Sequence, residues 1–377
     1  MRSRSALALG AAGLLAAAVA AAGADPAFRL AAPGYAWSFP RDHSTHPGYR
    51  NEWWYFTGQL AAEGEPARRF GYQLTLFRVG LVPERPPFDS AWSAANLAMG
   101  HAALSELSAG RHRFSEVLAR ETPFLGGFPP FPDPLLAWVR APSGTEGRWT
   151  VRREGDGFAL AMEDRAQGFA LRLSARPRKP VVLQGPGGLS VKSAAPGHAS
   201  LYYSLTRLET SGELEVDGRR YRVAGESWMD KEVGSSQLGP GQVGWDWFSL
   251  QLADGRDLML YALRRADGSV DFASATLVDA AGRPRWLAPG EWSARSDGRW
   301  RSPATGADYP AGWRVEVPGE GIRLTVTPLL ADQENRARAG GLFYWEGAVS
   351  LSGDGGRPAG QGYVELTGYG RENRPPL

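Results

Sequence analysis

The sequence of 377 residues contains no cysteine. Disulfide bonds, a thiol nucleophile and thiolate metal ligands are therefore excluded, as is the cysteine that carries the lipid of a bacterial lipoprotein. A strongly basic segment is also missing. The 42 lysines and arginines stand against 40 acidic residues, which gives a net charge of only +2, and no basic block stands out. This balance argues against nucleic acid as a partner.

Long hydrophobic runs are missing from everything after the first two dozen residues. At the start, two arginines precede an Ala/Leu run over residues 6–22, and small residues at 22–24 follow. This pattern predicts a cleavable secretory signal at residues 1–24. A retained anchor is the alternative, but the run is Ala-rich and short for a span of about 20 residues. We therefore expect a periplasmic or secreted protein with no stable membrane insertion after cleavage.

The common short motifs of catalysis and metal binding are absent as well. There is no Gly-Lys-Ser/Thr phosphate loop and no Gly-x-Ser-x-Gly nucleophile elbow. The stretch RDHSTHP brings Asp42, His43 and His46 together, but the remaining histidines lack the spacing of metal ligands. The sequence therefore predicts no metal site.

Turn signals, in contrast, are abundant. Asp-Gly occurs at 156, 217, 254, 267, 297 and 354, each time near alternating apolar and polar residues. This dipeptide is the strongest short-range signal for a β-hairpin. Between residues 200 and 225 the pattern predicts strands at 200–208, 213–216 and 219–225, with turns at 211–212 and 217–218. Strands with one apolar and one polar face indicate a sandwich or a closed barrel.

Two aromatic stretches far apart in the chain resemble each other. Aligning their Gln-Leu dipeptides places Trp53 over Trp245 and Tyr55 over Trp247. Each stretch then turns and returns, through RRFGYQLTLFR in the first case and RDLMLYALR in the second. A repeated hairpin of this kind predicts a duplicated unit and hence two similar β domains.

Several longer motifs carry a family resemblance: HPGYRNEWWYFTGQL, VAGESWMDKE, GWDWFSLQLADGRDLMLYALR and YWEGAVSLSG. From about residue 34 to 371 the chain resembles the AttH-like lipocalin-like proteins, which include the carotenoid 1,2-hydratases (hydroxyneurosporene synthases). The resemblance implies an all-β fold of two lipocalin-like antiparallel β-barrels packed side by side, with a few short helices and long Pro/aromatic loops. We place the N-terminal domain at residues 25–215 and the C-terminal domain at 216–377. Some relatives also imply an envelope transport system as a partner.

An apolar small molecule is the expected ligand. A closed barrel of about eight strands can hold one small ligand, and aromatic walls suit a lipid or a terpenoid. The predicted ligand-binding residues are the aromatics of the quoted motifs, Trp53, Trp54, Tyr55, Trp228, Trp245 and Trp247. The alternative is that these rings fill a core or the seam between two barrels. A protein that binds its ligand without changing it is the first hypothesis for function.

A cofactor-independent lyase or isomerase is the second hypothesis. The hydratases of the family imply a reaction that needs no cofactor and in which an acid protonates an isolated carbon–carbon double bond. Burial keeps such an acid protonated, and aromatic faces stabilise the cation that forms. The candidate catalytic residues are Glu52, Asp230, Lys231 and Tyr261.

Two features argue against a simple transfer of this chemistry. Where the hydratases carry histidine and tryptophan after the equivalent of Asp230, this chain has Lys231 and Val233. In addition, Glu52 and Asp230 have a structural alternative, as buried carboxylates that accept tryptophan N–H groups or pair with Arg50 or Lys231. Both interpretations stay open from the sequence.

Overall fold

A computed structural model of the protein describes residues 27–84, 87, 90–195, 197–236, 238–337 and 341–370. The predicted signal at residues 1–24 lies outside these residues. Across the described residues the chain forms 25 β-strands, and its helical content consists of three-residue 3-10 turns. None of the helices in this part of the chain is long and apolar enough to cross a membrane.

The first sheet contains thirteen antiparallel strands. They are β1 (Asn51–Ala62), β2 (Glu65–Gly80), β3 (Asn96–Glu106), β4 (Arg111–Arg120), β5 (Gly126–Gly127), β6 (Leu135–Arg140), β7 (Arg148–Glu154), β8 (Gly157–Asp164), β9 (Phe169–Pro177), β10 (Val182–Leu183), β11 (Leu189–Val191), β12 (Ala199–Val216) and β13 (Arg219–Ser236). Their order is β4-β3-β2-β1-β13-β12-β9-β8-β7-β6-β5, with β10 and β11 paired to β12. Because β6 lies against β2, β3 and β4, this sheet rolls up around one core.

The second sheet contains ten strands. They are β14 (Gln242–Leu252), β15 (Asp257–Arg265), β16 (Val270–Val278), β17 (Pro284–Leu287), β18 (Ser293–Ser296), β21 (Trp313–Val317), β22 (Ile322–Pro328), β23 (Glu334–Arg336), β24 (Phe343–Ser352) and β25 (Pro358–Leu366), while β19 (Arg299–Arg301) and β20 (Asp308–Pro310) form a separate hairpin. The order is β17-β16-β15-β14-β25-β24-β22-β21-β18, with β23 on β24. The edge strands β17 and β18 are joined by only residues 288–292, so this sheet also curls around its core.

Alternation of apolar and polar residues explains why these segments are strands. In β21 the sequence WRVEV alternates buried and exposed positions along its whole length. Successive side chains of a strand point to opposite faces, so such a segment buries one face and leaves the other in water. The predicted all-β fold of two antiparallel barrel-like sheets side by side is confirmed.

A long hairpin of β12 and β13 connects the two halves of the chain. Its turn at Asp217-Gly218 has positive φ at both positions, 50° and 78°, as a two-residue type I′ hairpin requires. The predicted domain boundary at 215 and 216 falls at this turn, inside the first sheet, and the chain enters the second sheet at Gln242. The turn predicted at 211–212 was wrong, because β12 continues there with β9 and β13 paired on either side.

Five of the six Asp-Gly dipeptides lie between consecutive paired strands. The dipeptide at 297–298 does not join a pair, because β18 pairs with β21 and the chain leaves this sheet to form the hairpin of β19 and β20. The two proline-rich segments at 83–107 and 120–142 contribute β3, β5 and β6, and described loop residues of both, such as Pro83 and Pro129, line a pocket of about 530 Å³.

Four apolar clusters stabilise the described part of the molecule, and the smallest of them joins Ala31 to Leu201 and Val233. The first barrel is filled by side chains such as Trp54 and Phe158, and the second contains Phe248 and Trp313. The third cluster lies between the two sheets and includes Tyr55, Tyr202, Trp228, Trp247, Tyr261 and Tyr363. We call this third region the seam.

The seam is built with approximate two-fold symmetry. Nε2 of Gln59 in β1 donates to a carbonyl of β24 at 2.8 Å and to that of Gly362 in β25 at 3.0 Å. Nε2 of Gln251 in β14 donates to a carbonyl of β12 at 2.8 Å and to that of Ser227 in β13 at 3.0 Å. The aligned glutamines therefore make equivalent contacts: Gln59 reaches from the first sheet to the second, and Gln251 from the second sheet to the first. The predicted duplication requires this reciprocity.

Candidate functional site

The predicted site residues divide between two places, because neighbours in a strand point to opposite faces. The set that faces the interior of the first barrel is Glu52, Trp54 and Lys231. The set that lies at the seam is Trp53, Tyr55, Trp228, Asp230, Trp245, Trp247 and Tyr261. The structure therefore separates Glu52 and Lys231 from the other two catalytic candidates.

Glu52 belongs to a saturated network of buried charges. One carboxylate oxygen accepts from Lys231 Nζ and lies 2.7 Å from His46 Nδ1. The other accepts from Arg78 Nε at 2.9 Å and from Thr45 Oγ1 at 3.1 Å. All the partners come from β2, β13 or the chain just before β1. The carboxylate is completely buried, and both of its oxygens accept hydrogen bonds.

The charges around Glu52 decide its protonation state. Burial alone raises the pKa of this carboxyl, but Lys231, Arg78 and His46 outweigh burial and hold the pKa well below its usual range. Burial lowers the pKa of Lys231 to about 8, and its ammonium lies 3.7 Å from the centroid of the Trp54 ring. Glu52 is thus an ionised structural group at neutral pH. Arg50, offered as a partner from the sequence, is exposed, and Arg78 takes its place.

Asp230 has a different environment, although it lies next to Lys231 in the same strand. Its oxygens accept from Tyr202 OH at 2.5 Å, Ser204 Oγ at 2.5 Å and Trp228 Nε1 at 2.7 Å. Only 3% of the residue is exposed. Burial raises the pKa of Asp230 to about 7, and the three neutral donors offset this only in part. The carboxyl therefore exchanges its proton near neutral pH.

Three further carboxyls complete an acidic cluster at the seam. Glu346 and Glu365 lie directly opposite each other on β24 and β25. Burial and the charge of Glu365 raise the pKa of Glu346 well above its usual range, and Tyr55 OH donates to its Oε1 at 2.7 Å. Burial, followed by the charges of Glu232 and Asp230, raises the pKa of Glu365 to about 8. The buried Oε2 of Glu346 has no hydrogen-bond partner among the described residues.

A single lysine contacts this cluster within the described part of the seam. Lys192 Nζ lies 2.9 Å from a Glu232 oxygen and 4.4 Å from the centroid of the Tyr261 ring. Tyr261 OH donates to the carbonyl of Val191 at 2.8 Å, so this tyrosine positions the chain beside Lys192. The candidate Tyr261 is therefore at the seam, but its hydroxyl hydrogen-bonds to the Val191 carbonyl and to Ser190 Oγ rather than to an acid.

Aromatic rings surround the acids. Tyr55 and Trp247 meet edge to face with centroids 5.2 Å apart, and Trp247 Nε1 donates to Tyr202 OH at 3.1 Å. Trp53 and Trp245 are partly exposed, as is Glu365, and the Trp245 indole lowers the pKa of Glu365 against the larger effect of burial. Solvent therefore reaches the acidic cluster at Glu365.

Asp230 and Glu365 occupy equivalent positions of the duplicated unit. Asp230 is the cross-strand partner of Tyr55, and Glu365 is the cross-strand partner of Trp247. The sequence alignment had already matched Tyr55 to Trp247. Sequence reasoning missed Glu346, Glu365 and Lys192, although both glutamates lie in motifs near the C-terminus and extending the repeat to β25 would have found Glu365.

The fold and the seam define the class of the protein: lipocalin-like, with two antiparallel barrels and a cluster of buried carboxylic acids between them. Residues 30–369 match a family model described as AttH-like. The chain belongs to the AttH-like family, and the resemblance predicted from its motifs is confirmed.

Solved structures agree with this assignment. An AttH protein from Nitrosomonas europaea is 36% identical, with a TM-score of 0.78 over 91% of this chain and 100% of that chain. Kievitone hydratase from Nectria haematococca is 13% identical, with a TM-score of 0.62 over 91% of this chain and 96% of that chain, a likeness that shows the fold alone. A comparison with curated protein sequences found no match.

Proposed function

We propose that the protein is an extracytoplasmic enzyme that needs no cofactor and acts on a carbon–carbon double bond of an apolar, isoprenoid-like molecule at the seam. The observation that carries this proposal is the pair Asp230 and Glu365, carboxyls with pKa values of about 7 and 8 among aromatic rings. Raised pKa values of this kind are what general-acid chemistry at neutral pH requires. The fold neighbour named as a hydratase is consistent with the same type of reaction.

Glu365 is the better proton donor of the two. Its pKa of about 8 keeps it protonated at neutral pH, and it is partly exposed. When its O–H bond breaks, the proton forms a new C–H bond with one alkene carbon, and the positive charge remains on the other carbon. The faces of Trp53 and Trp245 stabilise such a cation.

The steps after protonation of the alkene need no external reagent. In a hydratase, water adds to the cation and gives its extra proton back to the carboxylate of Glu365. In an isomerase, the cation loses a different proton, either directly to the carboxylate of Glu365 or to Asp230, from which the proton must return to Glu365 before the next turnover. Lys192 forms an ion pair with Glu232 nearby, and the raised pKa values of Asp230 and Glu365 differ, so one carboxyl can act as donor and the other as acceptor.

The departure from the hydratase pattern does not remove these acids. Lys231 and Val233 both face the interior of the first barrel, where Lys231 binds Glu52 and Val233 is fully buried. Asp230 points to the opposite side of β13. The acids at the seam are therefore intact despite the two replacements.

Binding without chemistry is the second candidate function. The loss of the histidine and tryptophan of the hydratases favours it, and the same aromatic rings of the seam would hold an apolar ligand unchanged. A lipid or a terpenoid is the ligand class in either case. Delivery to an envelope transport system stays a prediction of the resemblance.

One experiment separates the two functions. The mature protein is incubated with an extract of its own cell envelope, and bound and released molecules are identified by mass spectrometry. An enzyme yields a product with the mass of one added water or a rearranged isomer. We expect Glu365→Gln to lower the rate by about 10²–10⁴ while the substrate still binds.

The partly exposed Glu163 supplies the matched control, because Glu163→Gln makes the same substitution outside the seam. Product formation at the normal rate by both Glu365→Gln and Asp230→Asn would refute catalysis at the seam. A ligand that every variant, including the unaltered protein, binds and returns unchanged would establish the binding function instead. Export is checked by the mass of the protein in the periplasmic fraction, which should begin near Asp25.

A further inference from the structure

A pocket of about 530 Å³ lies among loops at one end of the first barrel, where β1 and β3 begin and β2 and β4 end. Five prolines and the rings of Phe28, Phe128 and Trp138 line it. Phe128 also stacks on Trp54 of the barrel core, with ring centroids 5.7 Å apart, so this ring separates the pocket from the barrel interior. The volume is typical of a small-molecule site. We call this space the loop pocket.

The loop pocket contains one carboxylate that no cation contacts. Among the described residues that line it, Arg78 and Glu121 are the only charged side chains. Arg78 is already bound, because its Nε donates to Glu52 at 2.9 Å and its Nη1 donates to the Tyr49 carbonyl at 3.0 Å. Glu121 forms no ion pair with any described residue. The charge that the pocket offers to a ligand is therefore negative.

Asn96 fixes the position of this carboxylate. Its Nδ2 donates to Glu121 Oε2 at 2.5 Å, and its Oδ1 accepts from Arg78 Nη1 at 3.0 Å. The second carboxylate oxygen, Glu121 Oε1, has no hydrogen-bond partner in the described part of the chain. The side chain is partly exposed and Oε1 is not enclosed, so a ligand can reach this oxygen. A carboxylate that is held in place beforehand loses little conformational entropy on binding.

The geometry selects the kind of cation. A guanidinium binds best to two parallel oxygens, but Asn96 already occupies one oxygen of Glu121. An ammonium is a compact charge that can donate to a single acceptor, and the rings and prolines of the wall favour an apolar body beside it.

We propose that the loop pocket binds a primary ammonium ion with a short apolar body, and that Glu121 Oε1 accepts a hydrogen bond from its nitrogen. The pocket with its fixed, unpaired carboxylate carries this assignment. It lies among the loops of the first barrel rather than between the two sheets, so the inference does not depend on catalysis by Glu365.

Calorimetric titration at neutral pH with 4-phenylbutylamine, 4-phenylbutanol and 4-phenylbutanoate tests the proposal. The three probes share a phenylalkyl body, and their end groups are cationic, neutral and anionic. We expect the unaltered protein to bind the ammonium at least about tenfold more tightly than the alcohol, because a charge-assisted hydrogen bond is stronger than a neutral one. The carboxylate should bind most weakly, since Glu121 repels it.

Glu121→Gln removes the charge and keeps an oxygen that can accept from Asn96. We expect this variant to bind the ammonium about tenfold more weakly and the alcohol nearly as before. Glu146→Gln is the matched control and should bind like the unaltered protein, because Glu146 is exposed and does not line the pocket. Equal affinities of the unaltered protein for the ammonium and the alcohol, or undiminished ammonium binding by Glu121→Gln, would overturn the proposal.

Two further variants locate the bound ammonium. Ala95 lines the pocket and is partly exposed, so Ala95→Trp should fill the space and abolish ammonium binding. Glu365→Gln, at the seam, should leave it unchanged. No binding by the unaltered protein, or loss of binding in Glu365→Gln with full binding in Ala95→Trp, would refute the assignment. Failure of the seam chemistry would instead appear as an unconverted substrate with ammonium binding intact.

Discussion

Glu52 and Asp230 lie on paired strands and are both almost completely buried, yet their pKa values move in opposite directions. Glu52 faces the cationic groups of Lys231 and Arg78, whereas the donors to Asp230 are two hydroxyls and an indole. The comparison shows that burial does not by itself set the protonation state of a carboxyl. The charge of the groups that contact it decides the sign of the shift.

The same contrast distinguishes a candidate catalytic residue from a structural residue within β13. Asp230 and Lys231 are consecutive residues, but one belongs to an acid-rich seam and the other neutralises a carboxylate inside the first barrel. In the saturated cluster the carboxyl of Glu52 is held ionised and has no proton to give near neutral pH. A cluster with four carboxyls and one contacting ammonium has protons that move with small changes in its surroundings.

The largest expected effect comes from breaking the balanced cluster. Lys231→Met leaves Glu52 buried with one cation fewer, and we expect a loss of about 3–5 kcal/mol in the free energy of unfolding. Chemical denaturation followed by tryptophan fluorescence measures it. The double variant Glu52→Gln/Lys231→Met should not recover the loss, because the buried Arg78 then has no carboxylate partner.

An exposed ion pair is the control for this effect. Arg219 and Glu65 lie 2.7 Å apart with side chains 61% and 54% exposed, so Arg219→Met should cost less than about 1 kcal/mol. Equal losses in Lys231→Met and Arg219→Met would contradict the importance of the buried balance.

A smaller effect is expected at the seam, and it depends on pH. The pKa of Glu365 is about 8 in the folded protein against an ordinary value of 4.5. The stability that its neutral form contributes is therefore fully present below about pH 4.5 and is lost as the pH rises through about 8. We expect the melting temperature of the unaltered protein to fall by several degrees between about pH 5 and 9, and that of Glu365→Gln to fall less.

Differential scanning calorimetry across this range provides the measurement, with Glu163→Gln as the variant that should follow the unaltered protein. Parallel curves for Glu365→Gln and the unaltered protein would show that Glu365 does not titrate in this range. The balanced cluster should behave in the opposite sense, because stability from the lowered pKa of Glu52 is lost on the acidic side.

The smallest expected effect is a change in the pKa of Asp230. Trp228→Phe removes one donor to the ionised carboxyl, so the pKa of Asp230 should rise above about 7 by roughly half a unit to one unit. Carbon-13 NMR of labelled aspartate carboxyls follows this titration. Trp149→Phe, which removes a donor to a backbone carbonyl instead, should leave the midpoint unchanged. A lower midpoint in Trp228→Phe would be inconsistent with an indole that stabilises the charged form.

Much of the fold could be predicted because its signals are local. Alternating residues and Asp-Gly turns indicated the strands, and the matched aromatics of β1 and β14 indicated the duplication. The partners of Glu52 could not be predicted in the same way. Arg78 faces Glu52 only through the register of β1 and β2, which shifts at Ala61/Ala62, and no local pattern encodes that register.

The candidate site was predicted in part for the same reason. Asp230 and most of the aromatic residues could be predicted because they belong to compact motifs. The structure then places some of these residues inside the first barrel and the others at the seam, because they lie on opposite faces of their strands. Glu346 and Glu365 meet Asp230 only when β24 and β25 pack against β13 and β1, more than a hundred residues away in sequence. The proximity of these three carboxyls depends on tertiary packing, which cannot be predicted from the pattern of a single sequence.

The reciprocal contacts of Gln59 and Gln251 have a consequence for the ancestry and assembly of the chain. In a two-fold homodimer, residue i of one subunit contacts residue j of the other, and residue j of the first contacts residue i of the second. Such an interface is called isologous. The present seam has that geometry within one polypeptide, so it corresponds to a dimer interface whose two subunits have become covalently joined. Within one polypeptide the two halves need not be identical, and the equivalent cross-strand pairs of this chain do differ: Tyr55 faces Asp230, whereas Trp247 faces Glu365.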